Sequence, residues 1–384
     1  MRIVHVITRL IIGGAQENTL LTCEGLHARG HEVYLISGPT HGPEGALTMR
    51  AREGGYYFEE LPSLVRPVSL LRDFAALRAL RRRFESLRPD VVHTHSSKAG
   101  VLGRIAADLA GVPAIVHTIH GMSFNRTQSD LVQAMYAAAE RHCAKRCHAI
   151  VSVADAMTQQ ALAAEVGEPG QFRTIRSGMV VEGFYPADHR DCTLRREWGM
   201  EDSHVVVGTV ARLFRNKGYE QLIPTMAAAA REEPGLRFVW IGDGAQRAEY
   251  ESELKRRGLR DRVMITGLVP PSAMPRMLAS IDLLAHTSQW EGLPRAVVQA
   301  MLMEKPAVSF DIDGAPEVVI PDETGALIEL GDLDGFASAI VRLARDEGLR
   351  QRLGAAGRAR CIREFDHRVM VEKLETLYGE LVPA

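Results

Sequence analysis

Short apolar runs alternate with helix-length segments along the whole chain. In the first half the runs are RIVHVIT, EVYLIS, DVVHTH, AIVHTIH, AIVSV and QFRTIR, each parted from the next by a stretch long enough to cross over. Runs that are apolar at nearly every position suit strands buried on both faces, so the pattern predicts a parallel sheet flanked by helices. The rhythm restarts with HVVVGTVARL and continues through RFVWIG, VMITG, DLLAHTS, PAVSFD and GALIEL. Between the two sets lies YPADHRDCTLRREWGMEDS, polar, with one helical stretch and no strand, which puts a boundary near residues 187–202. The expected architecture is α/β, two doubly wound domains in tandem, 1–190 and 191–365. In such sheets ligands sit outside the carboxyl ends of the strands, and a central cleft between two of them is the expected site.

One helical segment carries a second signal. In SLLRDFAALRALRRRFESLRPD, Leu70, Phe74, Leu77, Phe84 and Leu87 recur at helical spacing and predict one apolar face, while Arg72, Arg78, Arg81, Arg82, Arg83 and Arg88 crowd the rest. Two readings stand: a core face with a solvated basic face, or attachment to anionic lipid.

Composition narrows the class. A chain of 384 residues that is 46% hydrophobic has enough apolar material for two cores, and a net charge of -2 argues against a general nucleic-acid binder. The charge is uneven: residues 1–190 hold 21 Lys plus Arg against 18 Asp plus Glu, and the remainder holds 25 against 30. No apolar run reaches the roughly 18 residues a bilayer span needs, and the start MRIVHVITRL lacks a cleavage site, so the expectation is a cytoplasmic protein. Cys23, Cys143, Cys147, Cys192 and Cys361 are scattered and odd in number, which does not suggest a disulfide framework.

Three loops that follow predicted strands carry candidate chemistry. In TRLIIGGAQENTLL, Gly13 and Gly14 precede a helix expected to start near Ala15. They read either as a tight turn needing positive φ or as a place where backbone N–H groups approach an anion. The spacing is not the G-x-G-x-x-G of dinucleotide-binding enzymes. In VARLFRNKGYEQL, Arg212 and Lys217 follow a strand and precede Gly218 and a helix; two such cations can clamp a diphosphate, and equally can be ordinary surface charges. In WEGLPRAVVQAM, Glu291, Gly292 and Leu293 lie in a loop and Pro294 suits the first helical position. Gln299 then sits about 7–8 Å further along the axis. One helix end can thereby serve three parts of a ligand laid out as sugar, diphosphate and ribose.

These motifs, together with HTIHG, IGDG and KPAVSFDIDGAPEVV, taken in their order and spacing over nearly the whole chain, resemble glycosyltransferase family 4. The resemblance implies a GT-B fold of two Rossmann-like domains facing a central cleft, with a C-terminal helix, 366–384, packing back toward the first domain. It implies an enzyme of the hexosyltransferase type that moves a sugar from a nucleotide-sugar donor, in the family often a uridine one, with retention of configuration, with no cofactor and no catalytic metal. Arg212 and Lys217 would hold the diphosphate, His120 would lie beside the donor sugar, Glu291 would touch its hydroxyls and Gln299 would bind the ribose. The first domain would serve the acceptor. Gln299 stands where a second carboxylate is expected, and an amide can still bond ribose hydroxyls in either sense.

HTHSSKAG followed by HTIHGMSF further resembles members that assemble surface polysaccharide on glycan or lipid-linked acceptors, which points to His95 and Lys98 on the acceptor side and to peripheral contact with an anionic membrane. Two metal-like patterns are weaker. Asp311 and Asp313 in FDIDG read better as loop and cap residues, and His142, Cys143, Cys147 and His148 lack the paired short spacings of a zinc site. A nucleotide-sugar epimerase of the same fold and a non-catalytic nucleotide-sugar-binding protein are the rival readings.

Overall fold

The computed structural model describes residues 1–40, 46–124, 128–186 and 193–382, and in it the apolar runs become two parallel sheets. The first holds β1 (Arg2–Ile7), β2 (Glu32–Ser37), β3 (Tyr57–Glu60), β4 (Val91–His95), β5 (Ala114–Ile119), β6 (Ala149–Ser152) and β7 (Phe172–Thr174), in the order β3-β2-β1-β4-β5-β6-β7. The second holds β8 (Val205–Val210), β9 (Leu236–Ile241), β10 (Val263–Ile265), β11 (Leu283–His286), β12 (Ala307–Phe310) and β13 (Gly325–Ile328), in the order β10-β9-β8-β11-β12-β13. In each sheet the order reverses at one strand, β1 in the first and β8 in the second, and the adjoining loops form a topological switch point. β3 escaped the apolar pattern because it is an edge strand with two glutamates, and charge at an edge discourages further pairing.

The chain divides into two compact units, Met1–Met179 with Phe365–Ala384, and Val180–Glu364. The boundary expected at 190/191 falls, with Cys192, outside the described residues, and the units part earlier, between Met179 and Val180. The return of the chain to the first unit is fixed by backbone bonds from Met179 N to Phe365 O (2.8 Å) and from His367 N to Met179 O (3.0 Å). Gly178 has no room for a side chain there, since a Cβ would stand 2.4 Å from His367 Cα. The helix His367–Leu381 starts at Asp366, whose carboxylate accepts from Arg368 N, and it buries Met370, Val371, Leu374, Leu377 and Tyr378 in the core of the first unit.

The helix Leu70–Leu87 corrects one expectation. Its buried residues are Ala76, Leu80 and Phe84, spaced by four, whereas Leu70 and Phe74 stay 86% and 66% exposed. At 100° per residue Leu70 and Phe74 lie roughly 80–120° round the helix from Leu80, outside the stripe that meets the helix Ser97–Leu109.

Candidate active site

In the second unit the switch point joins the loop after β8 to the loop after β11. The β8 loop passes through Arg212 and a short 3-10 turn, Arg215–Lys217, to Gly218 at φ 75°. That glycine is required twice over: its φ lies in the left-handed region, and a Cβ would stand 1.8 Å from Thr287 O. The two loops are thus pressed together. Thr287 Oγ1 donates to Lys217 O (3.2 Å) and Gln289 N donates to Asn216 O (3.2 Å). Across this seam Lys217 Nζ lies 2.5 Å from Glu291 Oε1, with His286 Nε2 at 3.8 Å from the same oxygen. Glu291 is held from behind, its N–H donating to Asp313 Oδ2 at 2.8 Å, and Gly314 N donates to Gly292 O (3.1 Å).

The electrostatics follow from that packing. Burial pushes the Glu291 carboxyl up, but the Lys217 ammonium and the hydrogen bonds from Lys217 and Ser288 together outweigh it, so Glu291 lies below its ordinary value and is ionised at neutral pH. Burial drives His286 down to about 4 against the opposing pull of Glu291, so its ring is neutral. Arg212 differs from Lys217. It is exposed, its guanidinium lies 4.9 Å from the Phe214 ring centroid, and it has no carboxylate partner among the described residues. Around the seam His286 Nε2 and Trp290 Nε1 are buried polar atoms with no hydrogen-bond partner, while the Ser288 hydroxyl bonds the Glu291 carboxylate. A cluster of orphaned polar atoms is costly unless a ligand completes it. Pro294 stands just before the helix Arg295–Leu302 rather than at its first position, Leu293 is buried, and Gln299 is half-buried on that helix.

In the first unit a polar network fills the carboxyl ends of β1, β4 and β5, although all three strands are buried. His5 Nδ1 lies 3.0 Å from His95 Nε2, and His95 Nδ1 lies 3.0 Å from His120 Nε2. His93 Nδ1 lies 2.5 Å from Tyr378 Oη and its Nε2 2.7 Å from Thr118 Oγ1. Burial lowers His5 to about 3 and, together with neighbouring histidines, holds His93 and His95 well below the ordinary range, so these rings are neutral. Ser96 adopts φ 62°, and its Oγ lies 2.7 Å from Thr8 Oγ1, which itself accepts from Ala99 N. A non-glycine residue in that region marks a strained turn of the kind found at functional sites.

Several expectations change here. His95, expected on the acceptor side, is 1% exposed, because strand alternation puts it on the same covered face as His93. It backs His120, which directly follows β5 and is half-buried. Lys98 does border a cavity of about 550 Å³ with Arg9, Arg66 and Tyr136, but its Nζ is engaged by Asp73 Oδ1 (2.6 Å) and Pro67 O. The positive-φ reading of Gly13 and Gly14 is wrong: Gly13 is extended at φ -176°, Gly14 begins the helix Gly14–Ala28, and neither is left-handed. Lys217 and Glu291, expected to serve separate parts of a ligand, are one ion pair. Asp313 has the loop role expected of it, holding Glu291 N. Cys143 and Cys147 are buried free thiols, and His148 Nδ1 accepts from Ile115 N. The group among the described residues with metal-ligand spacing is His5, His93 and His95, whose nitrogens lie within 4.8 Å of one another but are occupied by the bonds above, apart from His5 Nε2. That group was legible only as three scattered histidines in β1 and β4.

Two parallel doubly wound sheets with polar switch points define the class, a GT-B α/β fold. The family models named "Glycosyl transferase 4-like domain" and "Glycosyl transferases group 1" match residues 13–178 and 192–360. The chain belongs to glycosyltransferase family 4, and it is an enzyme of the hexosyltransferase type. It is 29% identical over 393 residues to the UDP-Gal:alpha-D-GlcNAc-diphosphoundecaprenol alpha-1,3-galactosyltransferase of Escherichia coli, covering 100% of this chain and 97% of the relative. It is 22% identical to the capsular polysaccharide biosynthesis glycosyltransferase CapM of Staphylococcus aureus, covering 93% and 92%. Among solved structures, Anabaena Alr3699/HepE in complex with UDP and glucose superposes with a TM-score of 0.85 at 22% identity, covering 99% of this chain and 100% of that one.

Proposed function

We propose that this enzyme transfers a hexose from a uridine diphosphate sugar to a glycan or lipid-linked acceptor in surface polysaccharide synthesis, with retention of configuration. The observation that carries the reading is the end-to-end likeness to a galactosyltransferase whose name specifies a UDP sugar and a diphosphoundecaprenol-linked acceptor. The UDP in the Anabaena complex supports the choice of nucleotide. In this reading the bond between the anomeric carbon and the diphosphate oxygen breaks, the acceptor hydroxyl bonds to the same face of that carbon, and its proton leaves on a phosphate oxygen. Arg212 meets the charge growing on the leaving diphosphate, and Lys217 adds to it while orienting Glu291 toward sugar hydroxyls. Preorganised cations of this kind can supply the electrostatic stabilisation without a metal or cofactor. Gln299 bonds the ribose, and His120 bonds a sugar hydroxyl.

No described helix is long and apolar enough to cross a membrane. Peripheral contact at the inner face of a cell membrane is supported instead by Leu70, Leu71 and Phe74 on one helix and Leu131 and Met135 on another, each at least 65% exposed. Val68 and Tyr136, neighbours of these residues, border the same cavity as Lys98. Apolar side chains ringed by arginines suit an anionic lipid surface.

The test is incubation with UDP-galactose, UDP-glucose and UDP-N-acetylglucosamine, with and without a polyprenyl diphosphate sugar. Acceptor-dependent release of UDP with an enlarged lipid-linked glycan is the expected result. Conversion of one free donor into its epimer without acceptor, or binding with no product, would sink it. Retention on vesicles containing phosphatidylglycerol, and not on phosphatidylcholine alone, is expected of the lipid contact.

A further inference from the structure

Three imidazoles stand in line across adjacent strands of the first sheet. His5 on β1 bonds His95 on β4 (3.0 Å), and His95 bonds His120 directly after β5 (3.0 Å). His5 and His95 are 0% and 1% exposed, and neither has a carboxylate partner among the described residues. Neutral imidazole has one N–H, so the line holds three protons, of which two fill the two contacts. The third must sit at an end: on His5 Nε2 or on His120 Nδ1.

The ends are unequal. His5 Nε2 is buried and has no hydrogen-bond partner, so a proton there would be an orphaned donor, a costly and uncommon state in protein interiors. His120 is half-buried, where an N–H can find an acceptor. The favoured arrangement therefore runs outward: His5 Nδ1–H donates to His95 Nε2, His95 Nδ1–H donates to His120 Nε2, and His120 keeps its proton on Nδ1. Charging His120 is opposed by the same line. A proton on its Nε2 would force His95 to turn its own proton toward His5 and would put an N–H on the buried His5 Nε2. The other titratable groups nearby are His93, bound to Thr118 and Tyr378, and His117, bound to Thr94, with the Arg104–Glu140 pair beyond it.

We propose that His95 and His5 are positioning residues that hold His120 neutral with its proton on Nδ1, so that His120 serves the sugar as a hydrogen-bond donor and not as a base. The proposal rests on the glycosyl-transfer reading for the identity of the acceptor atom, but the tautomer itself does not.

The test is 15N NMR of histidine-labelled full-length protein at neutral pH, with the His120 signals assigned by their loss in His120→Asn. A pyrrole-type shift at His120 Nδ1 and a pyridine-type shift at Nε2 are expected; the reverse assignment, or an imidazolium, overturns the proposal. So does stoichiometric zinc retained by the purified protein and lost in His5→Asn, which would make the cluster a metal site. His95→Asn, whose amide can still donate to His120 Nε2, should keep the tautomer and most of the activity. His95→Leu should give a tautomer mixture and lower kcat about tenfold while the donor KM moves less than about twofold. An unchanged tautomer in His95→Leu overturns the positioning role, and if that variant does not fold, the wild-type and His95→Asn shifts decide the matter. Because the shifts are read without turnover, failure to find sugar transfer would count against the function and leave this result standing.

Discussion

Lys217 Nζ lies 2.5 Å from Glu291 Oε1 across 74 residues of sequence, and the contact welds the loop after β8 to the loop after β11. The pair makes each residue's contribution conditional on the other. Lys217→Ala leaves Glu291 partly buried without its cation, so its carboxyl rises toward and past the ordinary 4.5. We expect kcat to fall about 100-fold in Lys217→Ala, in line with the loss of one preorganised electrostatic group. A pH–rate profile should show the acidic limb of that variant displaced to higher pH. In the wild type the sign runs the other way: Glu291 is depressed, so the stability from pairing is complete above pH 4.5 and is lost as pH falls through the lower folded-state value. An unmoved acidic limb in Lys217→Ala would show that the pair does not control Glu291.

Arg212 gives a contrasting case. With no carboxylate partner among the described residues to leave behind, Arg212→Ala should change unfolding stability by less than about 0.5 kcal/mol, as for an ordinary surface substitution. Calorimetric titration should nonetheless show UDP binding weakened by about tenfold or more, the scale of one charge-assisted contact. Equal UDP affinity in the two proteins would remove Arg212 from the phosphate site.

Gln299 is expected to act on binding alone. Gln299→Ala should raise the donor KM by about fivefold, whereas Gln299→Glu, which can still accept from a ribose hydroxyl, should raise it less. The readout is the ratio of KM for the UDP sugar and for its 2′-deoxyuridine analogue, which should collapse toward one in Gln299→Ala.

Buried neutral histidines make the fold sensitive to acid. His5 titrates at about 3 and His286 at about 4 in the folded chain, against 6.5 when unfolded, and His93, His95 and His117 are depressed as well. Below pH 6.5 the unfolded chain binds protons that the folded chain refuses, so stability falls as pH drops, by up to about 1.4 kcal/mol per pH unit for each such histidine. Four of the five lie in the first unit. Thermal melts between pH 7.5 and 4.5 should show that unit losing structure first, followed by amide exchange resolved to its strands; uniform loss across both units would contradict the assignment.

The alternation of apolar runs with helix-length segments made both sheets legible, because strand and helix periods are local and survive in one dimension. β3 was missed because an edge strand need not be apolar. The apolar face of the helix at 70–87 was misplaced for a related reason: its length shows that some stripe is buried, but Ala76 and Leu80 meet a neighbour that Leu70 and Phe74 do not reach. Motif spacing pointed to two loops that the structure presses together, since Arg212, Lys217, Glu291 and Gly218 all follow strands at a switch point.

What each residue does in those loops was decided by contacts between distant segments. Lys217 and Glu291 read as separate charges because nothing within either motif shows that Thr287 leaves no room for a Cβ at Gly218 and so brings the two loops together. His95 read as an acceptor-side residue from the HTHSSKAG motif, whereas the sheet covers its face and lines it up with His5 and His120. The sequence by itself determined the α/β organisation, the division into two units and the loops that carry the candidate residues. Only the tertiary structure decided which charges neutralise each other and which histidines share protons, because those interactions fall off within a few ångströms and join residues separated by 25 to 90 positions.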